Sequence, residues 1–142
     1  MLHNKIEKID FLRFCIGNPQ GKGAELIIDK GFLYISECFG YFKEILQSPD
    51  KKIAGFKEKE LISTLEEIGF ENWKENYCNE EILEGTEWEL EMKINNEQKH
   101  YYFSGHEEYP SKKGDSKVFR YSKEFKKLLN ALNLVSNTKY FA

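Results

Sequence analysis

The chain has 142 residues, 24 acidic against 21 basic side chains for a net charge of −3, and an aromatic share of 15%. That length fits a single domain, 1–142, able to bury roughly 68–70% of its extended surface on folding. The near-balance of charge supplies no field for nucleic acid or an anionic membrane, and no run approaches the roughly 18 apolar residues of a membrane span. Met1-Leu2-His3-Asn4-Lys5 has no apolar run behind it, so no secretory leader is expected. Cys15, Cys38 and Cys78 stand far apart, without CxxC or Cys/His zinc spacing. Three cysteines cannot all pair within one chain, and a cytoplasmic location is expected. Each thiol reads first as a small buried apolar group and only then as a nucleophile.

In chain order, Ile9 to Ile16 is a β-rich run closed by the turn signal Gly17-Asn18-Pro19. Ala24 to Ile28 predicts a second strand, Asp29-Lys30-Gly31 a tight turn, and Phe32 to Ser36 a third strand. Together they predict an antiparallel meander. The stretch Gly17-Asn18-Pro19-Gln20-Gly21-Lys22-Gly23 lacks the GxxxxGK[ST] spacing of a phosphate loop and opens no helix, so it reads as a hairpin loop. Phe39 to Gln47 is ambiguous: Tyr41, Phe42, Ile45 and Leu46 fit a helical face, while Gly40 weakens it. Ser48 to Lys52 reads as a loop.

Glu58 to Ile68 predicts a helix, with Leu61, Ile62, Leu65 and Ile68 on one stripe and Gly69 suited to a left-handed end. Phe70, Trp73 and Tyr77, spaced i, i+3 and i+7, predict a short second helix. Trp88, Leu90, Met92 and Ile94 alternate with Glu87, Glu89, Glu91 and Lys93, the period-2 pattern of a half-buried strand. After Asn95-Asn96-Glu97-Gln98 the chain returns as Lys99 to Phe103, making a hairpin. The last helix is predicted from Ser122 as N-cap, burying Phe125, Leu128, Leu129 and Leu132 and exposing Lys123, Lys126 and Lys127. The fold class is therefore α+β: an antiparallel sheet of about five strands, covered on one face by two or three helices.

Charge is segregated along the chain. From Glu58 to Glu97 there are thirteen Glu against three Lys, while Ser111 to Ala142 holds seven Lys and Arg120 against Asp115 and Glu124. Opposed segments of this kind ordinarily form solvated faces, with a binding surface as the functional alternative.

Three pieces carry a resemblance: Trp73-Lys74-Glu75-Asn76-Tyr77, Glu84-Gly85-Thr86-Glu87-Trp88-Glu89-Leu90, and Ser104-Gly105-His106-Glu107-Glu108-Tyr109-Pro110. With the N-terminal meander, their order resembles a group of small uncharacterised bacterial proteins that share a Trp-Lys-x-x-Tyr helix, a Gly-x-x-Trp-x-Leu strand and a Ser-Gly-x-x-x-Tyr-Pro turn. The resemblance spans most of the chain on about ten identities and implies one α+β domain. It implies no activity and brings no catalytic residues. That turn more usually reads Ser-Gly-x-Asn-Ala-Tyr-Pro; here Glu107 and Glu108 replace Asn-Ala, and an extra polar stretch, Ser111 to Lys117, follows.

Several constellations invite a functional reading. Trp73, Tyr77, Trp88 and Tyr109 can line a cleft, but their spacing on two apolar elements reads first as core. Glu87, Glu89 and Glu91 share one strand face at about 7 Å intervals, a solvated face unless something supplies a pocket. His100 and His106 with Glu89 or Glu107 lack the convergent spacing of a zinc site, and no metal or cofactor is expected. Ser104-Gly105 is not a GxSxG elbow. Lys112 to Lys127, with Phe119 and Tyr121, is the one basic and aromatic stretch, so nucleic acid is an unfavoured partner. The leading expectation is a non-enzymatic, immunity-type or toxin-neutralising module that presents Glu87, Glu89 and Glu91 to a basic protein. The alternative is a small enzyme or ligand-binding protein with a cleft between the 87–104 hairpin and the last helix, around Trp88, His106, Glu107 and Tyr109.

Overall fold

Alternation along the first strand decides which side of the sheet becomes core. In β1 (Ile9–Gly17), Leu12, Phe14 and Ile16 turn to one side, and Phe11, Arg13 and Cys15 turn to the other. The computed structural model describes residues 5–18, 22–39, 51–78, 85–111, 121–138 and Phe141. The ambiguous stretch Phe39–Gln47 after Phe39, the Ser48–Lys52 loop before Lys51, the Pro19 turn, Glu84, and all of Ser111–Lys117 after Ser111 lie outside the described residues, while Phe39 ends a strand and Lys51–Lys52, read as loop, form one.

The meander forms as predicted. β2 (Lys22–Asp29) pairs antiparallel with β1 and with β3 (Phe32–Phe39), and β4 (Lys51–Lys52) adds a two-residue edge. The β2–β3 turn is Lys30–Gly31, both at positive φ (51° and 86°), the paired left-handed geometry that matches strand twist. After α1 (Gly55–Glu67) and a 3-10 turn at Phe70–Asn72 come β5 (Asn76–Cys78), β6 (Glu87–Ile94), β7 (Tyr101–His106) and α2 (Lys123–Ser136). The sheet order is β4-β3-β2-β1-β6-β7-β5. The hairpin thus docks beside β1, leaving β1 central with an antiparallel neighbour on each side.

The sheet is larger than the sequence predicts, and it is mixed. Among the described residues seven strands replace about five, and β5 runs parallel to β7. The difference arises at the predicted short helix over Phe70–Tyr77. Its apolar spacing is met by a different backbone, in which Gly69 is left-handed (φ 68°), one 3-10 turn buries Phe70, and Trp73 is already extended. Tyr77 then enters β5, its hydroxyl accepting a hydrogen bond from the Lys74 backbone N–H at 2.8 Å. All three aromatics are buried, so three anchors could not distinguish helix from turn plus strand.

Both helices bury their stripes in one cluster with the inward side chains of the sheet. α1 starts at Gly55, three residues before the predicted start, because Ala54 offers no side-chain cap to mark it. At α2, Ser122 is the N-cap as predicted, accepting from the Phe125 N–H at 3.1 Å, and Asn137 ends the helix left-handed. Phe125 sits at the centre, its ring centroid 5.0 Å from Trp88, 4.9 Å from Tyr109 and 6.0 Å from Phe14. Among the described residues no helix is long and apolar enough to cross a membrane.

The hairpin is locked at the open end of β6 and β7. Trp88 crosses so close over Gly105 that an added Cβ there would overlap its indole and come 2.8 Å from the Glu108 carbonyl. The same carbonyl accepts from the indole N–H at 3.1 Å. Glu107 takes a left-handed φ of 54°, its backbone N–H bonds the Thr86 carbonyl, and its carboxylate accepts from the Thr86 N–H at 2.6 Å.

Candidate functional site

Register sorts the side chains that face away from the helices into rows. One row runs Ser36, Glu25, Cys15, Glu89, Ser104 and Asn76 across six strands. The next runs Tyr34, Ile27, Arg13, Glu91 and Tyr102. Strand alternation, with β1 lying between β2 and β6, therefore brings Arg13 among three carboxylates drawn from two neighbouring strands.

The contacts are close. Arg13 Nε donates to Glu25 Oε2 at 2.6 Å, and Nη1 donates to Glu89 Oε1 and Glu91 Oε1, each at 2.9 Å. Nη2 reaches Cys15 Sγ at 3.5 Å, and that thiol lies 3.9 Å from Glu89 Oε1. The other oxygen of Glu91 is 3.0 Å from His100 Nε2. Such charge-assisted bonds are about twice as strong as neutral ones. One guanidinium against three carboxylates still leaves the cluster net negative. Glu25 is 2% exposed, and its Oε1 is buried with no hydrogen-bond partner among the described residues.

These neighbours set the protonation states. Burial opposes the charged form of Arg13, but the Glu89 and Glu25 bonds outweigh it and hold the guanidinium above its ordinary pKa. Burial pushes the Cys15 thiol up to about 12, against the Arg13 charge, which lowers it, and with the Glu89 and Glu25 charges, which raise it. Tyr102 is raised by burial and then by the Glu89 charge. The Tyr109 phenol is raised by burial and by its neighbours Tyr121 and Glu107.

The residues singled out from sequence fall into two groups. Glu87, Glu89 and Glu91 do share the outer face, but Glu89 and Glu91 are half-buried partners of Arg13 and Glu87 alone of the three is exposed. His106 lies on β7 rather than in the turn, registered between Glu87 of β6 and Cys78 of β5. Trp88 and Tyr109 lie in the core against Phe125, so ring contacts occupy the junction expected to hold a cleft. Trp73 and Tyr77 are core as well, with Trp73 against Phe103 at 5.5 Å. Glu107 serves the turn. His100 and His106 stand at opposite ends of β7, and among the described residues no three His, Cys, Asp or Glu are grouped to hold a metal ion.

Sequence reasoning missed Arg13 and Glu25. The signal was present: each interrupts an apolar run at the position that alternates with the core residues. It also treated the thiols alike, whereas Cys15 is buried and Cys78 is exposed; the side chain of Cys38 lies outside the described residues. Cys78, Glu87, Tyr102, Ser104 and His106 line a shallow outer depression of about 340 Å³. Elsewhere, exposed Phe56 and Leu134 flank a groove of about 440 Å³ between the helices, beside the Lys127–Glu67 ion pair.

No family model matches the chain, and no curated protein matches it.

Proposed function

We propose that the protein is a non-enzymatic binding module whose open sheet face receives a basic protein, in the manner of an immunity or toxin-neutralising protein of the bacterial cytoplasm. The resemblance to small bacterial α+β proteins is part of this reading. The observation that carries it is the convergence of Glu25, Glu89 and Glu91 on one guanidinium, on the side of the sheet that the helices leave open. A face with three carboxylates around one guanidinium steers and orients a basic partner, whereas acid/base catalysis needs a pocket that separates pKa values.

The test is a pull-down from native lysate at low salt, followed by association kinetics with the captured protein. Changing Glu87, Glu89 and Glu91 to Gln is expected to slow association and flatten its salt dependence, because steering weakens with net charge. The unfolding midpoint of the triple variant is measured alongside, since Glu89 and Glu91 also hold Arg13. Equal association rates for the two proteins would remove the acidic face from the account.

A second reading, a small enzyme or ligand-binding protein, draws on the row Cys78, His106 and Glu87 and the depression around it. A thiol beside an imidazole and a carboxylate has the residue types of nucleophilic catalysis. In a Cys38→Ser background, His106→Ala is expected to slow alkylation of Cys78 at neutral pH if the imidazole activates the thiol. An unchanged rate counts against this reading.

A further inference from the structure

Exposed apolar side chains are ordinary when scattered singly, but two large ones on one groove need an occupant. Phe56 is 65% exposed and Leu134 61%, and both line the groove between α1 and α2. Leu61, Ala131 and Val135, all buried, form its floor. On α1 the lining residues Phe56, Lys57, Glu60, Thr64 and Glu67 make one outward stripe at helical spacing. Lys127 pairs with Glu67 toward one end of the groove, and Phe56 and Leu134 line the other, so the two helices run antiparallel. The two ends differ in charge. Glu67 and Lys127 are matched within the chain. At the apolar end Lys57 and Glu60, about one turn apart, form no ion pair among the described residues.

We propose that this groove receives a second copy of the chain, forming a two-fold dimer on the helix side of the sheet and independent of the acidic face. A two-fold axis makes an interface self-complementary: if one residue meets another across it, the reverse contact is made as well. Let α1 cross antiparallel on α1 of the second copy with Lys57 facing Glu60 of that copy. Glu60 then faces Lys57 of the second copy, and both unmatched charges are paired. One position further out, the same register sets Phe56 opposite Leu61 of the second copy, which floors the groove. The charge pairing and the filling of the groove thus agree on one register. Other occupants fit less well. A basic or an acidic segment would match one of Lys57 and Glu60 and set the other against like charge, and an apolar small molecule would use neither. Helices of 13 and 14 residues offer a face of about 20 Å by about 20 Å, or about 800 Å² over two copies, so the dimer is weak and reversible.

The test is sedimentation equilibrium of the wild-type chain from about 10 μM to about 1 mM, where a weak association is read. A monomer–dimer equilibrium is expected, weakened about tenfold or more by Leu134→Asn, which removes an apolar contact from the rim. Lys57→Glu and Glu60→Lys should each weaken it too, since each sets like charges together at two places. Mixing these two variants should restore association to near the wild-type constant, because every facing pair is then opposite in sign. A wild type that stays monomeric throughout, a dimer that survives Leu134→Asn, or a mixture that fails to recover would each overturn the proposal. Uptake of anilinonaphthalene sulfonate by a chain that stays monomeric, lost in Leu134→Asn, would assign the groove to an apolar ligand and overturn it as well. A readout on wild type covers a variant that fails to fold. On concentrating the protein, the resonances of Phe56, Leu61 and Leu134 should shift while those of Cys15 and Glu89 on the opposite face stay, and the reverse pattern would overturn the proposal. The Glu87→Gln/Glu89→Gln/Glu91→Gln variant should dimerise as wild type does, so the dimer and the acidic face stand or fall separately.

Discussion

The two faces of the same strands are ordered by different physics. On the inner face Trp88 is enclosed by rings: Trp73 at 6.2 Å, Tyr77 at 6.2 Å and Phe125 at 5.0 Å. One residue further along β6, Glu89 is held by a single guanidinium and stays partly open to solvent. The inner face is stabilised by apolar area removed from water, which is non-directional and tolerant of similar shapes. The outer face depends on matching charges and donors, where a missing partner costs more than a missing pair. Neighbouring residues should therefore respond to mutation in unlike ways, and the contrast between faces can be broken at specific positions.

The largest effect is expected on the inner face. Trp88→Ala should cost about 3–5 kcal/mol, as removal of a buried large aromatic does, and here it also orphans the Glu108 carbonyl. Gly105→Ala approaches the same site from the backbone and should cost at least about 1–3 kcal/mol, since the new methyl overlaps the indole. Denaturant unfolding of both variants measures this. An unchanged midpoint for Gly105→Ala would mean that Trp88 does not cross the β7 backbone as described.

On the outer face the informative change is Arg13→Met. Breaking a buried pair costs roughly 3–5 kcal/mol, and the partial exposure of Glu89 and Glu91 should bring this loss toward the lower end or below it. Arg13→Met/Glu25→Leu removes the most deeply buried charge along with its partner and should recover much of the loss. If the double variant is less stable than Arg13→Met, the outer face is held by packing rather than charge, and the contrast between faces fails.

How far the faces could be read in advance follows from what each requires. The inner face rests on alternation and helical spacing, both local properties, so Trp88, Leu90, Met92, Leu61, Leu65 and Phe125 were assigned to the core from sequence. Ser122 was legible because an N-cap is a local chemical signal. The parallel β5 was not, because Phe70, Trp73 and Tyr77 bury themselves equally well in either backbone. The Arg13 cluster was illegible for a related reason. Each member stands out within its own strand, but their meeting depends on β1 lying between β2 and β6, a topology fixed by long-range pairing. The structural part of Glu107 was not legible either, because nothing local says that it bonds Thr86 and closes a turn over Gly85.

A smaller effect comes with alkali. Cys15 has a folded pKa pushed up to about 12 by burial, above the ordinary thiol value. Its neutral form is favoured by folding, so this contribution is complete below the unfolded thiol pKa and is lost as pH rises toward the folded one. Between about pH 9 and 11 the unfolded chain releases this proton while the folded chain keeps it, a slope of up to about 1.4 kcal/mol per pH unit. Cys15→Ala should show a shallower decline, most cleanly between about pH 9 and 10, below the ordinary tyrosine range. Parallel declines would show that the thiol is not enclosed by the cluster.

The smallest stability effect, and the sharpest separation of folding from recognition, belongs to Glu87. It lies on the outer face, is exposed, and is registered with Gly17 on one side and His106 on the other. Surface substitutions of this kind stay within about ±0.5 kcal/mol, so Glu87→Gln should leave the unfolding midpoint in place. Removing a rim charge acts on association rate and its salt dependence instead. Slower binding of a basic partner by a variant of unchanged stability would assign recognition to the open face without disturbing Arg13. An association rate equal to wild type at every salt concentration would mean that this edge of the face is not approached, and would shift the interface toward the Glu91–His100 end of the sheet.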